Sequence, residues 1–225
     1  IREQVRSFAH APGTRVRFGA GVLDSRGNEG AALGKRAMIV TDEGLVEAGY
    51  VGRAVRALTT AGLEVTVFSS VPENPTTADV RATVEAAKDA KIDLLIGLGG
   101  GSSMDCAKGC NFILTNGGEM KDYWGKEKAT KPMLPLIAVP TTAGTGSECQ
   151  SFALIADEHT HAKMACGDKK AAARVALLDP ELTLSQPSNV TAVTAIDAIS
   201  HAVESYVCKS ANNISRSYAL AAFQL

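Results

Sequence analysis

No apolar run in the 225-residue chain approaches the roughly 18 residues that cross a bilayer, which argues against a membrane partner. No secretory signal is visible, although the chain opens at Ile1 without an initiator methionine, which leaves room for a segment upstream. An excess of one charge is missing too. With 23 Lys and Arg against 24 Asp and Glu, the formal net charge is −1 and nothing favours nucleic acid as a partner. Cysteines are few and odd in number: Cys106, Cys110, Cys149, Cys166 and Cys208. Cys106 and Cys110 stand four apart, not as Cys-x-x-Cys, which disfavours a disulfide framework or a zinc-thiolate site. Reduced thiols in the cytoplasm are the expectation. There is no internal repeat and no low-complexity segment. With 45 % hydrophobic and 21 % charged residues, the chain reads as a globular protein of one domain or one and a half.

Two nucleotide signatures are also absent. No Gly-Lys-Ser/Thr closes a P-loop, and Gly97-x-Gly99 is followed by Ser102 where a dinucleotide fingerprint has its third glycine. What is present is Leu94-Leu95-Ile96-Gly97-Leu98-Gly99-Gly100-Gly101-Ser102-Ser103-Met104-Asp105-Cys106-Ala107-Lys108. It reads as a buried strand, a tight turn and a helix start. Three glycines without Cβ atoms admit a ligand close to the backbone, and the first free N–H groups of a helix favour an anion. Ser102 or Ser103 is the expected helix cap. An ordinary βα turn is the competing reading; a phosphate or pyrophosphate is the natural guest.

Along the chain, residues 1–13 read as a charged leading arm that includes His10, and Thr14 to Phe18 as a half-buried strand. Residues 24–36 are too polar and glycine-rich for more than a short helix. Ala37 to Thr41 reads as a buried strand with Asp42 just beyond it. A helix from Leu45 to Thr60, a strand from Leu63 to Phe68, a loop containing Asn74-Pro75 and a helix marked by Val80, Val84 and Ala87 follow. After the glycine loop and its helix come a polar loop over 119–132 and a strand over Leu134–Val139. Pro140-Thr141-Thr142-Ala143-Gly144-Thr145-Gly146-Ser147-Glu148 is an extended turn. Phe152–Ala156 and Lys163–Cys166 suggest a hairpin, with His159 and His161 in its turn, and Val175–Leu178 a last strand. Beyond Gln186-Pro187-Ser188 the pattern is helical. Strands alternating with helices predict a parallel sheet wrapped on both sides, with ligands beyond the strands' carboxyl ends. Asp42, Asn74 and the glycine loop all fall there.

In the helical region, Asp197 and His201 are four apart and leave one face of a helix. A carboxylate and an imidazole suit Fe²⁺, Zn²⁺ or Mn²⁺; an Asp–His surface pair has the same spacing. The apolar neighbours Ile196, Ala198, Ile199, Ala202 and Val203 predict a largely buried helix, in which a cation would compensate the carboxylate. Two ligands do not complete a site, so others must come from elsewhere.

In order and spacing, Gly99-Gly100-Gly101-Ser102 with Asp105 and Lys108, Pro140 to Glu148, Asp179-Pro180, and Asp197-Ala198-x-x-His201-Ala202-x-Glu204 resemble the iron-containing (group III) alcohol dehydrogenases. The resemblance runs from about Phe18 to Leu225. It implies a parallel-sheet NAD-binding α/β domain over residues 1–186 and the beginning of an all-helical metal and substrate domain over 187–225. Gly99, Gly100, Gly101 and Ser102 would hold the pyrophosphate. Asp105, Thr141, Thr142, Thr145 and Ser147 would belong to the cofactor site, with Asn74 near the ribose or adenine. Asp42 would face the adenosine ribose, accepting from its hydroxyls and repelling a 2′-phosphate, hence NAD over NADP. Asp197 and His201 match the first two metal ligands, for Fe²⁺ or, in the zinc variant, Zn²⁺.

Two departures stand out. Ala195 occupies a position where the family usually has glycine, and the two further histidine ligands of the family are not found in this chain. The resemblance implies a small alcohol or aldehyde substrate and a homo-oligomer when intact. Rival readings are a non-catalytic NAD-binding fragment, a zinc polyol dehydrogenase of the glycerol type, and a dehydroquinate-synthase-like lyase, which the Pro140–Glu148 motif fits less well.

Overall fold

The computed structural model describes residues 13–225, so the expected leading arm lies outside the described residues. The chain begins with strand β1 (Arg15–Phe18), short helices α1 (Val22–Ser25) and α2 (Gly27–Ala31), and strand β2 (Arg36–Val40). Helices α3 (Glu43–Glu47) and α4 (Tyr50–Thr60) replace the single helix expected over Leu45–Thr60. The break is at Gly49, whose φ of 80° is left-handed and ends the first helical run. Strand β3 (Glu64–Phe68), helix α5 (Thr77–Asp89), strand β4 (Leu94–Gly99) and helix α6 (Gly101–Asn116) follow. The expected polar loop over 119–132 contains a 3-10 turn (Met120–Tyr123) and the two-residue strand β5 (Gly125–Lys126). Then come β6 (Leu136–Pro140), β7 (Phe152–Ala156), β8 (Lys163–Gly167), β9 (Val175–Leu178), and helices α7 (Ser188–Val207) and α8 (Asn213–Gln224).

Six strands form one parallel sheet in the order β1-β9-β6-β4-β2-β3. Strands β4 and β6 are buried along their whole length and β2 from Ala37 onward, which is why they read as unbroken apolar runs. Alternate residues feed opposite layers. Met38, Val40 and Leu95 pack with Val80, Val84, Met104 and Phe112 of α5 and α6. Ala37, Ile39 and Ile96 pack with Val51, Ala54 and Leu58 of α4 and Val22 and Leu23 of α1. A smaller sheet, β5-β8-β7, includes the expected hairpin, with β7 and β8 antiparallel.

From β2 the chain steps to β3 on one side, then to β4 on the other. The direction of winding therefore reverses between β2 and β4. In an open parallel sheet that reversal opens a crevice beyond the strands' carboxyl ends. Asp42 and the glycine loop stand on its two sides.

Helix α7 departs from expectation. Within the described chain it is mostly exposed: Val193, Ile196, Ile199 and Val203 all present large apolar surface, and only Ala202 is buried. Its apolar composition does not bring burial because, of the described elements, α8 and the Pro140–Glu148 loop supply only part of a covering surface. Between α7 and α8 runs an apolar groove of about 210 Å³ lined by Ala202, Val203, Tyr206, Val207, Ala219, Leu220 and Phe223.

Candidate cofactor crevice and metal ligands

The glycine loop begins at Gly99, whose φ of +147° is open to glycine and strained for other residues. A Cβ there would also stand 2.4 Å from the Ser103 Oγ. The helix cap is Gly100, not Ser102 or Ser103: α6 starts two or three residues earlier than expected and has no side-chain cap. As a result, the N–H groups of Gly101, Ser102 and Ser103 have no intrahelical acceptor, as in any first helical turn. Gly100 has extended backbone, and a Cβ there would meet only Thr142, with Cγ2 at 3.4 Å and Oγ1 at 3.7 Å. At Gly101 the neighbour would be Thr145 Cγ2, at 3.3 Å. The glycine loop and the Thr141–Gly146 turn are thus opposite walls of one cradle.

The sequence-predicted residues sort by position. Thr141 is buried, and its N–H donates to the Gly99 carbonyl at 3.0 Å, joining the two walls. The Thr142 Oγ1 is buried with no hydrogen-bond partner among the described residues. Ser102 Oγ accepts from the Asn74 N–H at 3.2 Å, so these two meet at the cradle. Asn74 has a φ of 55°, a left-handed conformation that asparagine tolerates. Asp42 caps α3, its carboxylate accepting from the Leu45 N–H at 3.1 Å.

Asp105 and Ser147 are brought together beneath the cradle. Ser147 Oγ donates to Asp105 Oδ1 at 2.9 Å, and both residues are buried. Burial pushes the Asp105 carboxyl above the usual carboxylate range, opposed by nearby Lys108 and the Ser147 hydrogen bond.

Asp197 and His201 converge, with Nε2 to Oδ1 at 3.6 Å and both side chains over 40 % exposed (41 % and 47 %). The other ring nitrogen, Nδ1, lies 3.1 Å from the Gly144 carbonyl. A carbonyl only accepts, so Nδ1 carries the proton and Nε2 presents its lone pair in the neutral ring. This is the outer-sphere arrangement that orients a metal-binding histidine. The approach depends on Gly144, where a Cβ would stand 2.3 Å from the Thr194 carbonyl oxygen. The donor set fits half of a divalent metal site. No group of three or more His, Cys, Asp or Glu side chains among the described residues completes it. His159 is largely exposed in the hairpin turn, with its side chain 85 % accessible.

Three participants carried no readable signal of their role. Lys163 of β8 donates to Asn74 Oδ1 at 3.2 Å, a meeting across 89 residues that only the hairpin register creates. Gly144 serves α7 through a backbone contact no motif spells out. Lys108 is fully buried; the sequence marked it only as a member of the glycine-loop motif, without a role. Among the cysteines, burial pushes the Cys106 thiol up to about 12 and Cys110 higher still, so neither is a thiolate nucleophile.

A parallel sheet with a glycine cradle bordering its switch point and an Asp–His pair nearby defines a dinucleotide-binding fold bordered by a candidate metal site. Residues 13–180 match the sequence model of the iron-containing alcohol dehydrogenases, and the chain belongs to that family. It is 40 % identical over 209 residues to alcohol dehydrogenase 4 of Schizosaccharomyces pombe, covering 92 % of this chain and 50 % of that protein. To the NAD-dependent methanol dehydrogenase of Bacillus methanolicus it is 38 % identical over 209 residues, covering 92 % of this chain and 55 % of the relative. The crystal structure of a 1,3-propanediol oxidoreductase superposes with a TM-score of 0.91 at 34 % identity, covering 96 % of this chain and 56 % of that one. The chain spans about half the length of the curated relatives it matches.

Proposed function

We propose that this chain is the cofactor-binding part of an NAD-dependent, metal-dependent oxidoreductase interconverting a small primary alcohol or diol and its aldehyde. The observation that carries the reading is the cradle between Gly99–Gly101 and Thr141–Thr145, beyond the carboxyl ends of β4 and β6 and bordering the switch point between β2 and β4. The free N–H groups of α6 suit pyrophosphate oxygens. The orphaned Thr142 hydroxyl suits a polar ligand atom, because a buried hydroxyl without a partner costs free energy. Asp42 accepts from ribose hydroxyls and repels a 2′-phosphate, and Asn74 stands near the ribose or adenine with Lys163 adding a cation. Asp105 and Ser147, bonded to one another below, support the cradle.

Asp197 and His201 would hold the metal together with groups outside the described residues, His201 through Nε2. When bound, Fe²⁺ or Zn²⁺ supplies Lewis-acid polarisation of the substrate oxygen, while NAD is the hydride acceptor. The same reading puts a domain boundary near residue 186, homo-oligomerisation in the intact enzyme, and a cytoplasmic location. No described helix is long and apolar enough to cross a membrane.

The experiment is a fluorescence titration of NAD against wild type and Gly100→Val, beside melting curves. Gly100 has ordinary backbone geometry and room at Cβ, so the variant should fold, while its side chain enters the cradle. NAD affinity should fall by about tenfold or more, equivalent to about 1.4 kcal/mol. Equal affinity in a folded variant means the pyrophosphate does not lie there. A second reading, a non-catalytic NAD-binding fragment, is favoured by the two-ligand metal set; it predicts that the intact protein too binds NAD without oxidising alcohols.

A further inference from the structure

Lys108 is fully buried, at 0 % exposure. A buried ammonium is tolerated when its three donors and its charge are all matched. Here Nζ donates to the Ser147 carbonyl at 2.6 Å, the Ser147 Oγ at 3.1 Å and the Phe152 carbonyl at 3.0 Å. Ser147 Oγ passes the bond on to Asp105, whose carboxylate lies 4.0 Å from Nζ. Two of the three acceptors are main-chain carbonyls, so the lysine grips the path of the backbone between β6 and β7. Upstream of the gripped residue the turn is tied to itself: Ser147 N–H donates to Thr145 Oγ1 at 3.3 Å, and Gln150 Nε2 donates to the Thr145 carbonyl at 3.3 Å. Thr145 faces Gly101, and Gly144 receives His201.

We infer that Lys108 is a positioning residue: from beneath, it holds the Thr141–Gln150 loop in the shape that walls the cofactor cradle and presents the Gly144 carbonyl to His201. Asp105 is its counter-charge and Ser147 the shared joint. The inference rests on the cofactor reading of the loop for its consequence, not for its geometry.

The test uses the whole 225-residue chain, free of ligand, as wild type, Lys108→Met and Ser147→Ala, with amide hydrogen exchange well below the melting temperature. The probes are the Ser147 and Cys149 amides, and the references are Thr41 and Leu95 in the central sheet. In Lys108→Met the probes should exchange about tenfold faster or more while the references hold, a local opening rather than global loss. NAD binding should weaken in parallel. Ser147→Ala leaves the two carbonyl acceptors and should give a smaller change. If Lys108→Met fails to fold, Asp105→Asn/Lys108→Met, which removes both buried charges, carries the same comparison. Loop exchange within about twofold of wild type in a folded variant overturns the inference. Absence of NAD binding by wild type would overturn the cofactor reading, while the exchange result still decides this one.

Discussion

The glycine loop and helix α7 both lean on the Pro140–Glu148 turn, but they are held by different means. The glycine loop is part of the sheet: β4 is buried throughout, and Gly99 bonds to Thr141 across the β4–β6 pair. Beneath it, one lysine satisfies three acceptors. Helix α7 rests on that turn through the Gly144 carbonyl and the close approach over Gly144, and turns most of its apolar residues to solvent. The proposed cofactor cradle is thus anchored in the sheet, whereas the proposed metal ligands rest on a helix largely open to solvent among the described residues.

The contrast breaks most sharply at two glycines. Gly99→Ala combines left-handed backbone strain with a Cβ 2.4 Å from Ser103 Oγ. It should cost about 3 kcal/mol of global stability in chemical denaturation. Gly144→Ala puts a Cβ 2.3 Å from the Thr194 carbonyl instead. There α7 gives way, so the sheet should unfold within about 0.5 kcal/mol of wild type while α7 amides lose protection. Equal global losses at both sites would erase the distinction between the two regions.

The next effect is pH-dependent. Burial lowers the Lys108 pKa from 10.5 to about 8, although Asp105 and Glu148 oppose the shift. Between those values the unfolded chain binds a proton that the folded chain does not, so stability from this group rises with pH. Below about 8 both states are protonated and the cost of the buried charge is fully present. Relative to Asp105→Asn/Lys108→Met, wild type should therefore gain stability above pH 8, by at most about 1.4 kcal/mol per pH unit, whereas in acid the raised Asp105 carboxyl makes the difference fall as pH rises. Denaturation series for both proteins check it; a difference that falls as pH rises above 8 contradicts the buried ammonium.

Much of this contrast was legible in the residues, and its limits have physical causes. Continuous apolar runs identified β2, β4 and β6 because central parallel strands are buried on both faces. The Leu45–Thr60 pattern missed Gly49, since helical periodicity continues across a single left-handed residue. Ser102 and Ser103 looked like caps because their side chains suit the role, but the glycine before them already takes the extended cap conformation. Asp197 and His201 meet because i, i+4 spacing is local. Lys163 and Gly144 act through contacts 89 and 57 residues distant, which only the folded chain creates. The exposure of α7 was unreadable for a different reason: an apolar helix face states a need for cover, not where the cover comes from.

The smallest expected effect sharpens the crevice side. Asp42 both caps α3 and borders the switch point, so Asp42→Asn separates the two roles: asparagine caps as well as aspartate. Stability should stay within about 0.5 kcal/mol of wild type, while the preference for NAD over NADP narrows by about tenfold. Paired titrations with the two nucleotides measure this. An unchanged preference with the charge gone would remove Asp42 from the ribose site.

On the proposed function, the described residues build a dinucleotide cradle beside two ligands of a metal site. Calorimetric titration of the purified 225-residue chain with NAD, and separately with Zn²⁺ and anaerobic Fe²⁺, tests it most directly. NAD should bind with one site per chain. Metal should bind weakly, because two protein ligands fall short of the at least three that a tight site uses, and alcohol oxidation should be absent. Stoichiometric metal that survives dialysis, or saturable turnover of ethanol or propanediol with NAD, would contradict the account, as would a folded chain that does not bind NAD.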